Sequence, residues 1–189
     1  MKLRRAILLA ALALFALPLA ACGNKEKITT HGDTEGTYVD VGQLVYQVQI
    51  SRQLNPNDPE DHGYLIDLPF GQDQLAPDEA WFAVFVKAWN EGEQVAPAAN
   101  NFSIVDSQGT VYHPVPIGPD NVFAYRAGDV PSGEQLPELD TAASNNPSVQ
   151  GSMVLFKVKY DTFNNRPLDL VIRAPRGQEP AVASVNLDV

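Results

Sequence analysis

Ala80-Trp81-Phe82-Ala83-Val84-Phe85-Val86-Lys87-Ala88-Trp89-Asn90 is an eleven-residue run, apolar on both faces, with no glycine or proline until the turn at Asn90-Glu91-Gly92. A continuous apolar run of this length, bounded by a turn signal, fits the central strand of a packed sheet, with a buried helix as the alternative. Phe82, Val84, Val86 and Ala88 fall on one face of that strand, and Trp81, Phe85 and Trp89 on the other. A sheet with such a strand at its middle needs cover on both sides, so the neighbouring segments are expected to supply further strands.

They do so with period-two alternation. Upstream, within Thr37 to Gln53, Leu44, Tyr46, Val48 and Ile50 alternate with Val45, Gln47, Gln49 and Ser51. Downstream, Phe102-Ser103-Ile104-Val105-Asp106 and Thr110-Val111-Tyr112-His113 flank Ser107-Gln108-Gly109 as a predicted hairpin. Ser152 to Tyr160, Leu168 to Ala174 and Ala181 to Val189 alternate in the same way. Between these runs, Asn55 to Gly63 is rich in Pro and Asx and predicts a turn with neither helix nor ladder. Tyr64 to Leu68 is a short candidate edge strand. Residues 114–150 hold six prolines without sustained period and are expected to lie against the sheets as a flap. Short strands interrupted by turn residues, with no heptad and no long amphipathic helix, define an all-β antiparallel sandwich.

The chain begins differently. Lys2, Arg4 and Arg5 precede an apolar stretch from Ala6 to Leu17, which Pro18 interrupts before Leu19-Ala20-Ala21-Cys22. A charged start, a short apolar centre and small residues before a cut are the parts of an export signal, and the run is shorter than the roughly 20 residues a spanning helix needs. Cys22 is the only cysteine of 189 residues and occupies the position that bacterial lipid attachment requires. The tetrad resembles the lipobox of bacterial lipoprotein precursors. That resemblance implies a diacylglyceryl group on the Cys22 sulfur, cleavage between Ala21 and Cys22 and acylation of the new amino group, giving two or three palmitate-type chains that hold a protein firmly to a membrane. Residues 1–21 are thus expected to be a signal peptide, 22–36 a lipidated cysteine with a flexible tether, and 37–189 one β-sandwich domain carrying the Pro-rich insertion at 114–150.

Without its leader the chain carries 10 Lys and Arg against 23 Asp and Glu. Such an acidic field repels the phosphates of nucleic acid and argues against that class of ligand. The lone thiol leaves no disulfide framework, so the exported domain must be held by its apolar core.

In order, the tether, the Leu-x-Tyr-x-Val-x-Ile strand, the run ending in Trp89-Asn90, the Phe102–Tyr112 hairpin and Val149-Gln150-Gly151-Ser152-Met153-Val154-Leu155-Phe156-Lys157-Val158 resemble a family of bacterial lipoproteins. Its members carry an immunoglobulin-like, telokin-like domain of unknown function, similar in fold to a mycobacterial secreted immunoprotective antigen. The resemblance implies an immunoglobulin-like sandwich and supplies no catalytic motif.

The chemical inventory agrees with a non-enzymatic module. His31, His62 and His113 are scattered, and Met153 is the one methionine outside the leader, so neither a metal nor a cofactor is expected. Asp58, Glu60 and Asp61 lack the spacing of a calcium loop. Neither Gly-x-Ser-x-Gly nor Ser-x-x-Lys occurs. Trp81, Phe85, Trp89 and Tyr125 are weighed between core packing and an aromatic platform for a sugar or peptide, with Trp89 singled out because it ends a strand. The sequence therefore predicts a membrane-anchored extracytoplasmic lipoprotein that binds another envelope protein or a small ligand. The alternative is a cell-envelope enzyme or glycan-binding carrier with its site under residues 114–150.

Overall fold

The computed structural model describes residues 27–187. The expected signal peptide, the cleavage position at Ala21 and the lipid attachment at Cys22 lie outside the described residues, as do residues 188–189.

Eleven consecutive residues of the central run, Glu79–Trp89, form strand β4, and the alternating segment before it forms β3, Leu44–Leu54. These two pair antiparallel from Val45–Trp89 to Leu54–Trp81, with a bulge that leaves Gln49 unpaired between Val48 and Ile50. Strand β2, Tyr38–Val41, joins β3 through Gly42-Gln43, and Gly42 has φ +61° at the first central position, where a tight hairpin turn demands it. The other edge of β4 pairs along its length with β10, Ser152–Lys159. The first sheet therefore runs β10-β4-β3-β2.

The second sheet contains β1, His31–Gly32, with β6, Asn101–Val105, β7, Val111–Tyr112, β11, Leu168–Arg173, and β12, Val182–Leu187, in the order β1-β12-β11-β6-β7. Its neighbours are antiparallel except β1 and β12, which run parallel. Strands β3, β4 and β10 stand where A, B and E of an immunoglobulin constant domain stand, and β6, β11 and β12 where C, F and G stand. Within the stretch expected as tether, β1 is already part of this sheet, and His31 Nδ1 lies 2.8 Å from Ser184 Oγ.

Alternation carries Val39, Tyr46, Val48, Phe82, Val84, Val86 and Phe156 to the inner face of the first sheet, against Phe102, Ile104, Leu170, Ile172 and Val185 of the second. All of these are buried. A second apolar cluster lies on the opposite face of the first sheet. There Leu54, Trp81, Ala83, Phe85, Met153 and Leu155 pack under Tyr64, Val115, Phe123 and Val149. The ring of Tyr64 meets Phe85 and Phe123 edge-on, with centroids 5.2 and 4.8 Å away. The first sheet is thus the middle of three layers, which is why β4 is apolar on both faces. At roughly 1.5–3 kcal/mol for each large apolar side chain buried, both clusters contribute substantially to stability.

The third layer overturns two local expectations. Residues 55–63 are not irregular throughout: Pro59–Tyr64 form a short helix, α1. The Asp58 carboxylate accepts from the N–H groups of Glu60 and Asp61, and Pro59 occupies the first turn, where its missing N–H costs nothing. Tyr64 to Leu68 is not an edge strand, because Tyr64 closes that helix and points into the second cluster.

The 114–150 insertion lies against the sandwich and has structure of its own, including β8, Asp129–Val130, β9, Gln135–Leu136, and α2, Ala142–Asn145. Strand β8 pairs with β5, Ala96–Pro97, and β9 extends the first sheet by pairing with Ala88 and Trp89 of β4. The start of the insertion covers the free edge of β10: Val115 N donates to Leu155 O, Tyr125 N to Met153 O, and Met153 N to Phe123 O. Asn121, 2 % exposed, fastens it to the loop after α1, donating to Tyr64 O and Ile66 O while accepting from Phe123 N. Asn121→Ala strands the buried Tyr64 carbonyl and should lower unfolding stability by about 1–3 kcal/mol in denaturant titration, with faster proteolytic cleavage inside 114–150.

The β6–β7 turn is held by Asp106, whose carboxylate accepts from Gln108 N and Thr110 N. Burial pushes this carboxyl up, but the hydrogen bonds from Thr110, Gln108 and Asn165 outweigh it and leave the pKa below the usual aspartate value. The stabilisation is complete above that usual value, about 3.9, and is lost as the pH falls through the lowered one. Asp106→Ala should therefore be less stable than the wild type at neutral pH, with the difference closing below about pH 3.9 in acid unfolding followed by circular dichroism.

Candidate functional site

Two surfaces compete for the role of a site. The first is a cleft of about 330 Å³ under the insertion, between Pro114–Ile117, Tyr125–Ala127 and the β10 residues Met153–Leu155. This is the place where an enzymatic site was expected as the alternative. Among the described residues that line it there is no carboxylate, histidine or serine, and the lining is dominated by Pro114, Val115, Pro116, Ile117 and Phe102. Its phenol, Tyr125, donates to Ala99 O at 2.9 Å, while Tyr46 accepts from Ala99 N at 2.7 Å. Burial lifts Tyr125 well above the ordinary phenol range, so it stays a protonated structural clamp at neutral pH. Arg126 is also engaged, donating to the carbonyls of Ile117 and Gly118.

The second surface is the half of the first sheet's outer face that the third layer does not cover. Here the outward positions of β2, β3 and β4 fall in two cross-strand rows. Tyr38 lies opposite Gln47, which lies opposite Lys87; Asp40 lies opposite Val45, which lies opposite Trp89, and Trp89 in turn lies opposite Gln135 of β9. Their inward neighbours Val39, Tyr46, Val86 and Ala88 are buried in the main core, which fixes the phase. The rings of Tyr38 and Trp89 are 5.5 Å apart and tilted by 54°, and Tyr38 is 55 % exposed. The indole is held in place: its Nε1 donates to Gln135 Oε1 at 3.2 Å, and Gln135 Nε2 donates to Pro137 O at 3.0 Å.

Carboxamides continue the surface. Gln49, the bulged residue of β3, donates to Gln47 Oε1, and Gln47 Nε2 donates to Gly36 O at 2.6 Å. At the far side Asp40 accepts from Thr29 N, and Lys27, Ile28 and Glu91 close a shallow hollow beside Tyr38. The chain thus enters its fold alongside this face.

The other sequence-level candidates have structural duties. Trp81 and Phe85 lie in the second cluster, Trp81 with the Lys157 ammonium 5.0 Å above its ring. Asn90, next to Trp89, is buried and donates to Gln94 O and Val130 O, closing the strand-end turn. In the acidic segment, Asp58 caps α1 and buried Asp61 pairs with Arg52. His31, His62 and His113 remain apart, and among the described residues no three His, Cys, Asp or Glu side chains converge on a metal position. No helix among the described residues is long and apolar enough to cross a membrane. Sequence reasoning missed Tyr38. Its signal was the Tyr-Val-Asp-Val alternation of residues 38–41, which puts it in the same phase as Trp89 once the Gly42 turn sets the register.

Topology and core together define an all-β sandwich with immunoglobulin-like strand order. No protein-family model matches the sequence, and no curated protein matches it. Among solved structures, a functionally unknown protein from Listeria monocytogenes EGD-e is similar with a TM-score of 0.50 and 10% identity, over 82% of this chain and 84% of that one. The yjhA protein from Bacillus subtilis has a TM-score of 0.49 and 12% identity, over 82% of this chain and 99% of its own. An uncharacterized β-sandwich protein from Clostridium difficile 630 has a TM-score of 0.43 and 9% identity, over 86% and 97%. The Listeria likeness bears on the fold alone.

The two tryptophans report the difference between the covered and open halves of one face. With Trp81→Phe, the remaining emission from Trp89 should be quenched readily by acrylamide; with Trp89→Phe, the emission from Trp81, 2 % exposed, should resist quenching.

Proposed function

We propose that this protein is a lipid-anchored extracytoplasmic binding module, without catalytic activity, that presents the open half of its first sheet to a component of the cell envelope. The lipobox at Leu19–Cys22 and the lipoprotein family that the strand pattern resembles support the anchor. The observation that carries the binding role is the unequal treatment of one sheet face. Two segments, 54–75 and 114–149, contribute to covering the half around Trp81 and Phe85, while in the half around Trp89 the Tyr38 ring stays exposed against a half-buried indole braced by Gln135. Exposed rings with a buttressed geometry suit recognition, because little side-chain freedom is lost when a ligand settles on them.

Covalent reach from Cys22 supports a position of this surface near the membrane. Four residues lie between Cys22 and Lys27, and the five steps fully extended span no more than about 18 Å. Lys27 borders the hollow beside Tyr38, so the open half is the membrane-proximal part of the domain.

Two measurements test the reading separately. Cells fed labelled palmitate should incorporate it into the wild-type protein and not into Cys22→Ser; equal labelling of both would remove the anchor. Cys22→Ser protein added to isolated envelopes should sediment with them, and the added pair Tyr38→Ala and Trp89→Ala should reduce retention about tenfold or more. Undiminished retention would remove the open face as the binding surface.

A further inference from the structure

We infer that the ligand of the open half-face is a polysaccharide chain of uncharged pyranose rings, one ring resting on Tyr38 and Trp89 while its hydroxyls bond to the surrounding side chains. This rests on the reading of that face as the binding surface and adds the chemical class of the ligand.

Four features of the surface select that class. Aromatic rings offer an apolar face with negative charge density, which suits the weakly positive C–H groups of a sugar ring. Tyr38, the exposed member of the pair, offers such a face, and the half-buried Trp89 ring stands 5.5 Å from it at 54°, so a sugar ring settling on Tyr38 lies next to the indole. Hydroxyl groups each donate and accept, so a sugar needs both kinds of partner within reach. The rows around the two rings supply them: the carboxamides of Gln47 and Gln49, the carboxylate of Asp40 and the ammonium of Lys87. Among the described residues Gln49 makes one side-chain bond and Gln47 two, leaving further donor and acceptor capacity on both amides.

Competing occupants fit less well. A lipid tail or an apolar helix laid over this half would desolvate Lys87 and the remaining polar valences of Gln47, Gln49 and Asp40, at a cost of about 1–3 kcal/mol for each group left unsatisfied. An anionic polymer would meet Lys87 against Asp40 and Glu91, within a chain carrying 23 acidic residues. The shape argues for a polymer over a free sugar. Beside Tyr38 a hollow of about 350 Å³ between Lys27–Thr29, Asp40, Val45 and Glu91 adjoins the sheet surface at Trp89, which lies opposite Val45, so a chain seated in the hollow can continue along the strands.

The test uses the full-length protein in detergent. Wild type titrated calorimetrically with cellohexaose and with chitohexaose should give saturable heat for at least one of them, and Trp81→Phe, which leaves Trp89 as the sole tryptophan, should give a parallel change in emission. Tyr38→Ala should weaken binding about tenfold or more, and Gln135→Ala, which frees the indole, about threefold or more. Phe70→Ala, at a fully exposed position beside the covered half, should bind as the wild type does. Neither sugar binding the wild type at millimolar concentration, or binding that Tyr38→Ala leaves undiminished, would overturn the inference. If both sugars fail while envelope retention still depends on Tyr38 and Trp89, the surface stands and its ligand is of another class, a protein first among them. If retention is indifferent too, surface and ligand fall together.

Discussion

Two-sided burial of β4 is the constraint from which the rest of the molecule follows. A strand bearing Phe82, Val84 and Val86 on one face and Trp81, Ala83 and Phe85 on the other cannot belong to a two-layer sandwich with a wet outer surface. It requires a third layer, and the chain builds one from the two longest connections it has, the β3–β4 link and the β7–β10 link. The same constraint explains why those connections are apolar at Tyr64, Leu68, Val115 and Phe123 although they lack regular periodicity. Their side chains answer to a surface already present beneath them.

The insertion solves a second problem at the same time. In the immunoglobulin arrangement a strand normally lies beside the one corresponding to β10; here that edge would present unpaired N–H and C=O groups. Residues 114–125 supply partners at Val115, Phe123 and Tyr125 without forming a continuous strand. Asn121 then ties this edge cover to the loop after α1, alongside the bonds from Gly118 N and Asp120 N to Asp67, so both halves of the third layer are joined. Farther along, β9 takes over on β4 where β10 has ended, and so brings Gln135 to Trp89. One segment therefore serves the core at its start and the open surface near its middle.

How much of this was legible in the sequence depends on how local the cause is. The faces of β4, the β6–β7 hairpin and the alternation of β10, β11 and β12 are written in periods of two and in turn residues, so the sandwich could be read directly. Helix α1 was missed because the prolines and Asx residues of 55–63 were weighed as turn formers, although Asp58 followed by Pro59 is equally a helix start. The shared face of Trp81 and Trp89 was visible; the cover over the first and not the second was not, since it comes from segments far away in the chain. The ring pair itself depends on the register of a hairpin and on a two-residue strand from the insertion, neither of which leaves a periodic trace.

The parallel pairing of β1 with β12 has a mechanical side. Anything that tugs on the chain ahead of Lys27 transmits the load first to the bond between Thr29 and Asp40 and then to the short ladder at His31–Gly32, before the pairing of the long strands bears it. Because β1 and β12 run in the same direction and the chain leaves β1 at its start, a pull along the strand axis shears those bonds together instead of opening them one by one. An attachment point of this geometry behaves as a strain relief, yielding at its own few bonds while the sandwich behind it stays closed.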